Sequence, residues 1–275
     1  LPPVMNDELK FTVISDTHYY SKKNFVDGFD KNKKPKPGQL FFSRSEEIVE
    51  HTFDCLCKND TPDIVLISGD LTYNGERTSH DEMKAALKKL QQNGKRVYVI
   101  TATHDYTTPR MPTYGIDKND KYIEVESVKR TQLLKYYGDF GYNNAIAKHK
   151  STMSYVAQLA DGYRLFALND DYGDPDCGFS DELMNWVKTE ANNAKRDGQY
   201  IIAMTHHPLV PPSPIYTAVA KGDMLNDYEL RRKQLSDLGF DFVLTGHTHM
   251  HNISYCKIGN KKFYDISTAA LTGFP

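Results

Sequence analysis

The sequence contains few cysteines, no long apolar run and no excess of charge of either sign. Its cysteines have no framework spacing, so we expect buried free thiols and no disulfide network; they are Cys55, Cys57, Cys177 and Cys256. No apolar run reaches the roughly 20 residues that a membrane helix needs, so no transmembrane segment is expected. The formal net charge is −2, and no overall basic field would attract a nucleic acid polymer.

The two ends of the chain indicate processing or trimming. The first residue is Leu1 in place of Met, and a removed signal peptide is one explanation. We therefore expect a secreted or envelope-attached protein after signal removal, with the cytoplasm as the alternative. The chain also ends abruptly at Pro275. Its 275 residues suffice for one large α/β domain or two small ones. No linker is evident, so we expect one domain over residues 1–275, and the oligomeric state stays open.

Residues 63–70 read Asp-Ile-Val-Leu-Ile-Ser-Gly-Asp and predict a strand that is buried on both faces. The apolar run is too short for a helix and is rich in β-branched residues, as in the parallel part of an α/β sheet. Asp70 follows where the strand leaves the sheet, at the edge where open α/β sheets bind ligands. On its own, an Asp after a strand is ordinary turn chemistry.

The same pattern recurs after four other β-rich runs, each of which closes on a hydroxyl residue before Asp or His. The residues delivered in this way are Asp16 and His18, His104 and Asp105, His206 and His207, and His247 and His249. Asp16 and His18 are two apart in an extended segment, so both can meet one ion. Together the five strand ends predict a metal site.

The ligand types at these strand ends favour transition metals. Imidazole and carboxylate together suit Mn, Fe or Zn better than Mg or Ca, which prefer oxygen ligands. Six such side chains are too many for one ion: Asp16, His18, Asp70, His206, His247 and His249. Two ions about 3.5–4 Å apart, bridged by one carboxylate, match hydrolytic two-metal sites. We therefore expect two divalent or trivalent ions of Mn, Fe or Zn as cofactors.

Helix and hairpin signals lie between the strand ends. Ser43-Arg-Ser-Glu46 is a capping box that opens a helix to about Lys58, and Ser79-His-Asp-Glu82 caps a second helix that Gly94 stops. The remaining patterns predict helices over 126–137, 180–196 and 227–238, a hairpin over 151–168, and strands over 251–258 and 261–267.

Some polar segments have no evident chemistry. Residues 19–42 form a long irregular connection, and its lysine-rich stretch 31–37 is expected in solvent, with contact to an anionic substrate as the alternative. His80 and His149 have no partner at ligand spacing, so we expect both at the surface.

Five blocks of residues resemble the calcineurin-like metallophosphoesterases: Asp16-x-His18, Gly69-Asp70, His104-Asp105, His206 and Gly246-His247-Thr248-His249. They stand in that family's order and span nearly the whole chain. Segments 16–18, 69–75 and, more loosely, 178–186 resemble its class III cyclic nucleotide phosphodiesterase branch. The resemblance implies an α/β fold of four layers, α/β/β/α, in which two packed mixed β-sheets carry helices on their outer faces. It also implies a single catalytic domain.

The resemblance also assigns roles to the residues. It implies that Asp16, His18 and His249 hold the first metal, that Asp70 bridges, and that His206 and His247 hold the second. His104 would stand beside the leaving group, with Asp105 orienting it and raising its basicity. His207 and Asn74 are expected behind the ligands or in contact with substrate, as are Tyr19 and Tyr106.

One block departs from the family pattern. The family has Gly-Asn-His where this chain has Ala102-Thr103-His104, and the Asn is a ligand of the second metal. A Thr hydroxyl is a poorer and shorter ligand than an amide carbonyl, and Ala lacks the backbone freedom of glycine. We therefore expect Thr103 to leave the second metal weakly bound, or a water to take the vacant position.

The function that follows is hydrolysis of a phosphodiester, with cyclic nucleotides as one candidate, by a hydroxide bound at the two metals. The partner is thus a small phosphate ester. Tyr19, Tyr20, Tyr73 and Tyr106 lie beside ligand blocks and could stack a base, or simply line the crevice. A phosphomonoesterase on the same site is the nearest alternative, and a non-catalytic metal-binding scaffold is another.

Overall fold

A computed structural model describes residues 8–28, 41–58, 60–109, 111–171 and 177–273. The lysine-rich stretch 31–37 and both chain ends lie outside these ranges, so the expectations for them stay predictions. The strands are β1 Phe11–Ile14, β2 Ile64–Ser68, β3 Arg96–Ile100, β4 Gly115–Ile116, β5 Tyr122–Ile123, β6 Ala147–His149, β7 Ser154–Ala160, β8 Tyr163–Ala167, β9 Tyr200–Met204, β10 Phe242–Thr245, β11 Asn252–Ile258 and β12 Lys261–Ser267.

The helices lie between these strands or after them. The α-helices are α1 Ser45–Lys58, α2 Arg77–Gln92, α3 Leu133–Tyr137, α4 Asp181–Arg196, α5 Tyr216–Val219 and α6 Tyr228–Leu238. Short 3₁₀ helices occupy Lys22–Asn24, Phe42–Arg44, Thr103–Asp105, Arg130–Gln132 and Lys221–Asp223. Within the described ranges, no helix is both long enough and apolar enough to cross a membrane.

Two sheets form the centre of the fold. In the first, β1, β2 and β3 pair in parallel in that order. The second has the order β11-β12-β10-β9-β8-β7-β6 and mixes parallel pairs at β8, β9, β10 and β12 with antiparallel pairs at both edges. The predicted pair of sheets is confirmed. The smaller sheet contains only parallel pairs in the part of the chain that is described.

The apolar residues form layers because side chains alternate across each strand. One core joins α1 and α2 to the first sheet and to one face of the second, which contributes Leu165 and Ala167 of β8. Phe166 and Leu168, which alternate with these two residues along the chain, belong to another core under α4 and α6. Helices therefore cover the outer face of each sheet, and the sheets pack on each other. The α/β/β/α arrangement is confirmed.

Several local expectations need correction. Helix α2 starts at Arg77 with Glu76 at its N-cap, so Ser79 does not cap it. Ser79 is buried, and its hydroxyl oxygen accepts from the backbone N–H of Ser21 and the amide of Asn24, each at 3.1 Å. Glu46 likewise accepts from the Lys22 N–H at 3.1 Å, not from Ser43. The helix expected over 126–137 is reduced to the 3₁₀ turn Arg130–Gln132 and α3.

Two histidines that we expected at the surface are buried. The His80 ring lies 2.6 Å from the Tyr137 hydroxyl and 3.0 Å from the Asp105 carbonyl, and burial lowers its pKa to about 3. The His149 ring packs against Trp186 and lies 2.9 Å from the Thr152 hydroxyl. Both predictions were wrong because residues distant in sequence, Tyr137 and Trp186, pack on these rings and bury them. The four cysteines are free, as expected, but half-buried and not buried.

Candidate metal centre

Most of the predicted ligands adopt a backbone conformation that L-residues rarely take. Five of them have positive φ: Asp16 (52°), His18 (38°), Asp70 (51°), His247 (65°) and His249 (56°). Each lies just past the carboxyl end of a strand, where the chain turns sharply. Non-glycine residues in this region typically cost about 1–3 kcal/mol and cluster at functional sites. This strain therefore marks the strand ends as a site.

Two glycines allow the strand ends to approach each other. A Cβ on Gly69, which has φ of +101°, would lie 2.8 Å from the His206 ring, and one on Gly246 would overlap the Ser15 hydroxyl at 1.8 Å. By contrast, Ala102 has φ −145° and ψ −166°, an extended conformation open to any residue. The expected cost of Ala in place of the family's glycine was therefore wrong.

Asp16, His18 and His249 converge as one group. The Nε2 atoms of His18 and His249 are 3.1 Å apart, and Asp16 Oδ1 lies 3.3 Å from His249 Nε2 and 3.7 Å from His18 Nε2. Two ligands of one ion at normal bond lengths are about 3–3.5 Å apart. The other oxygen, Asp16 Oδ2, accepts from the Ser15 hydroxyl and from the His247 N–H at 3.0 Å. That arrangement fixes the carboxylate and leaves Oδ1 for the ion.

Asp70, His206 and His247 form a second group, with one ligand atom from each within 4.8 Å of the others. The His206 Nδ1 lies 2.8 Å from the Ser68 carbonyl, which can only accept, so Nδ1 carries a proton. In a neutral ring, Nε2 then carries a lone pair and no proton. This nitrogen faces Asp70 Oδ2 at a distance of 3.2 Å. Two acceptors at that distance require a cation or a proton between them.

Asp70 stands between the two groups. Its Oδ2 is also 3.8 Å from His18 Nε2, and its Oδ1 accepts from the His104 N–H at 3.0 Å. Buried polar atoms without a hydrogen-bond partner are rare, yet three meet here: Asp16 Oδ1, Asp70 Oδ2 and His206 Nε2. Their convergence, with both ligand types present, fits a pair of transition-metal ions.

The charges at this centre are strongly coupled. Burial raises the pKa of the Asp70 carboxyl, but His206, His104 and His18 together outweigh that effect and hold the pKa well below its usual range. Burial lowers the pKa of His206, but the charge of Asp70, the hydrogen bond to Asp70 and the charge of Asp16 together raise the pKa to about 10. The carboxylates therefore stay ionised and face positive charge, as metal-binding carboxylates do.

His104 is oriented by different residues from the one expected. Its Nδ1 lies 2.5 Å from the Tyr73 carbonyl and 2.9 Å from Asn74 Oδ1. The Asp105 carboxylate instead accepts from the N–H groups of Thr72 and Ala102, both at 2.9 Å. Asp105 thus fixes the backbone around His104 and does not orient its ring. A ring nitrogen of His104 lies within 4.8 Å of ligand atoms of His18 and Asp70.

His207 lies behind the ligands and has a partner that we did not predict. Its ring packs on His247 with centroids 4.1 Å apart, and its Nδ1 lies 3.3 Å from Asp170 Oδ2. The same oxygen accepts from the N–H groups of His206 (3.2 Å) and His207 (2.7 Å) and from the Thr205 hydroxyl (2.8 Å). Asp170 follows β8, and its position after a strand was the signal that could have found it.

The tyrosines beside the ligand blocks differ in exposure. Tyr19 and Tyr20 are 3% and 1% exposed, so neither can stack on a substrate. Tyr106 donates to Asp171 Oδ2 at 2.6 Å and packs under Arg130, which makes it part of a polar cluster. Of the expected rings, half-buried Tyr73 is the one that lies beside the centre, with its centroid 6.4 Å from that of His18 and 6.3 Å from that of His104.

Comparisons with known proteins agree with this geometry. The family model described as calcineurin-like phosphoesterase matches residues 9–251. A dimetal phosphatase from Danio rerio has a similar structure, with a TM-score of 0.64 and 12% identity over 96% of this chain and 88% of that chain. A phosphopantetheinyl hydrolase from Mycobacterium tuberculosis matches with a TM-score of 0.45 and 12% identity over 94% and 89%. No curated protein sequence shows significant similarity to the chain.

Proposed function

The chain belongs to the calcineurin-like phosphoesterases, a family of metal-dependent hydrolases, and from that premise we propose that it hydrolyses phosphodiesters, with cyclic nucleotides as the candidate substrate class. The observation that carries the proposal is the meeting of three buried, unpartnered atoms, Asp16 Oδ1, Asp70 Oδ2 and His206 Nε2. A proton on His206 Nε2 would link it to Asp70 Oδ2 at 3.2 Å and leave Asp16 Oδ1 without a partner, whereas cations would satisfy all three atoms.

The two ligand groups divide between two ions of Mn, Fe or Zn. Asp16, His18 and His249 would hold the first ion and His206 and His247 the second, and Asp70 lies within reach of both groups. When bound, such ions supply a water whose pKa is lowered to about 7 and neutralise charge on the phosphate. The protein's part is to fix six ligand atoms on strand ends and to exclude bulk water from the buried carboxylates.

His104 is the proton donor to the departing oxygen. Both groups at its Nδ1, the Tyr73 carbonyl and Asn74 Oδ1, are acceptors, so Nδ1 keeps its proton. Nε2 is then the nitrogen that can gain or lose a proton. Burial lowers the pKa of His104, and the charge of Asp70 and the Tyr73 carbonyl offset this effect only in part. Donation to an alkoxide leaving group contributes about 10²–10⁴-fold to the rate.

An aromatic wall beside His104 supports a leaving group that carries a flat ring. The wall consists of half-buried Tyr73 and Tyr114, whose ring centroids are 6.1 Å apart. Stacking of a base on an aromatic side chain contributes about 1–3 kcal/mol and suits any base. A nucleoside leaving group would use this wall, whereas a small alkyl group would not.

A substrate panel tests the function. With Mn²⁺ present, kcat/KM for bis-p-nitrophenyl phosphate should exceed that for p-nitrophenyl phosphate by at least about tenfold, or about 1.4 kcal/mol in transition-state binding. Cyclic nucleotides should be hydrolysed as well. Tyr73→Leu should raise KM for cyclic nucleotides by about tenfold and leave KM for a diester of two alkyl groups, which has no flat ring, unchanged.

The rival functions are outcomes of the same panel. Faster turnover of the monoester would establish a phosphomonoesterase, and a metal-replete protein that hydrolyses no phosphate ester would establish a scaffold. Tyr255→Leu is the matched control for Tyr73→Leu, because Tyr255 is exposed on the edge strand β11. An equal effect of the two variants would argue against the aromatic wall.

Thr103 leads to a prediction about metal retention. After mild chelation the chain should keep one ion firmly and release the second, because a Thr stands where the family has an Asn ligand. Thr103→Asn should tighten the second site by about tenfold or more, the scale on which metal-site partners act. Metal counting by mass spectrometry after dialysis measures this. Thr189→Asn on the exposed face of α4 is the control, and two equally retained ions in the parent chain would contradict the expectation.

A further inference from the structure

A buried carboxylate outside the candidate metal centre connects the two loops that carry His206 and His247. Asp265 lies on β12 and is 1% exposed. Its Oδ2 accepts from the N–H groups of Leu209 (2.6 Å) and Val210 (3.0 Å). Its Oδ1 accepts from the Thr245 hydroxyl at 2.5 Å. Hydrogen-bond donors close in sequence to His206 and to His247 therefore bind the same side chain.

The position of Asp265 gives these contacts a direct relation to the site. β12 pairs in parallel with β10, and Asp265 stands opposite Val243. Thr245 is the last residue of β10 and is followed by Gly246 and His247. Leu209 and Val210 continue the segment that starts with His206. The carboxylate thus lies where a shift of either loop would change the distance between the two histidines.

The hydrogen bonds of Asp265 offset a substantial cost. A buried carboxylate loses several kcal/mol of solvation unless it is hydrogen-bonded, and burial raises the pKa of Asp265 to about 6. Its three donors are neutral groups, so no ion pair among the described residues explains its presence there. Asp170 makes the same kind of contact from the other side, to Thr205 and the N–H groups of His206 and His207. Segment 205–210 is therefore held between two carboxylates.

We propose that Asp265 is a positioning residue for the second ion, because it fixes the loop of His206 relative to the loop of His247. The proposal rests on the proposed function, in which these two histidines bind the same ion. Residues that orient metal ligands without touching the metal typically contribute about 10–100-fold to metal affinity. We expect the contribution of Asp265 to metal affinity to be of this size and to affect the second ion only.

Mn²⁺ titration of the full chain, followed by electron paramagnetic resonance of free Mn²⁺, measures the two affinities. His247→Ala identifies which affinity belongs to the second ion. Asp265→Ala should weaken that site by about 10–100-fold and leave the first site unchanged. Asp265→Asn removes the same charge but keeps an oxygen for the N–H groups of Leu209 and Val210, so both of its affinities should stay close to those of the parent chain.

A matched control separates positioning from general destabilisation. Lys95 is also buried, and its ammonium group donates to the carbonyls of Thr61 (3.0 Å) and Pro62 (3.2 Å) in the loop before β2. Lys95→Met should lower stability without a selective effect on either ion. Equal weakening of both sites by Asp265→Ala, no weakening, or the same effect from Ala and Asn would overturn the proposal.

A second variant keeps the test decisive if Asp265→Ala does not fold. Thr245→Val removes one donor to the carboxylate and should still weaken the second site selectively, whereas unchanged binding would overturn the proposal. A parent chain that binds fewer than two ions would overturn the proposed function and this inference with it. Two ions in the parent chain and unselective Asp265 variants would overturn the inference alone.

Discussion

Replacement of Asp70 by Asn should abolish binding of both ions and lower phosphodiesterase activity by at least about 10³-fold. Asp70 Oδ2 lies 3.2 Å from His206 Nε2 and 3.8 Å from His18 Nε2, so this oxygen serves both ligand groups. Asn keeps the shape of the side chain but removes the negative charge. Bound metal ions supply several kcal/mol of transition-state stabilisation, and about 4 kcal/mol corresponds to 10³-fold in rate.

The control for this variant is an Asp at the other end of β2. Asp63→Asn makes the same change just before β2, where the side chain is 80% exposed and pairs only loosely with Lys95 at 3.8 Å. Exposed ion pairs contribute little, so Asp63→Asn should retain both ions and full activity. For both variants, the number of bound metal ions and the rate of diester hydrolysis are measured. Full metal content in Asp70→Asn would contradict the shared-ligand role.

His104→Ala should keep both ions and lose about 10²–10⁴-fold in kcat with unactivated esters. The loss should be much smaller with a p-nitrophenyl leaving group, because nitrophenolate departs without a proton. His104 lies beside the ligands, where its N–H donates to Asp70 Oδ1, and this backbone contact survives the substitution. The measurement is kcat against leaving-group pKa for a series of diesters.

The slope of that series separates proton donation from structural damage. His51→Ala, an exposed substitution on α1, should reproduce the parent slope. A positioning defect in His104→Ala would lower all rates equally and leave the slope unchanged. Equal losses for activated and unactivated esters would therefore contradict the role of His104 as a proton donor.

The ligand positions were predictable because each lies directly after a strand. Parallel strands end at the same edge of a sheet, so Asp16 and Asp70 converge even though they are far apart in sequence. His206 follows β9 of the other sheet, and the packing of the two sheets brings it to the same place. The chemistry of Asp and His at those points then predicted a candidate metal centre. The α/β class followed from the same strands and from the helical patterns between them.

The residues behind the ligands were not predictable in the same way. Asp170 follows a strand, as the ligands do, but its Asn-Asp-Asp stretch also resembles an ordinary turn, and Asp265 is one polar residue within a strand. Only the packed structure shows which backbone donors they meet. The same limit explains Asp105, whose carboxylate binds backbone N–H groups at Thr72 and Ala102 and not the neighbouring His104 ring.

Buried rings show the limit of judging exposure from sequence. Tyr19 follows a ligand directly, yet its ring is buried, and its hydroxyl donates to Glu82 at 3.2 Å. His80 has no neighbour at ligand spacing in the sequence, yet it contacts the Asp105 carbonyl inside the fold. In both cases tertiary contacts decide exposure, and local pattern carries no information about them.

The most direct test is anomalous X-ray diffraction from crystals of the protein grown with Mn²⁺. Two peaks about 3.5–4 Å apart are expected, with Asp70 bound to both, Asp16, His18 and His249 around the first, and His206 and His247 around the second. Absence of any peak among these side chains, or a single ion that Asp70 does not touch, would contradict this expectation.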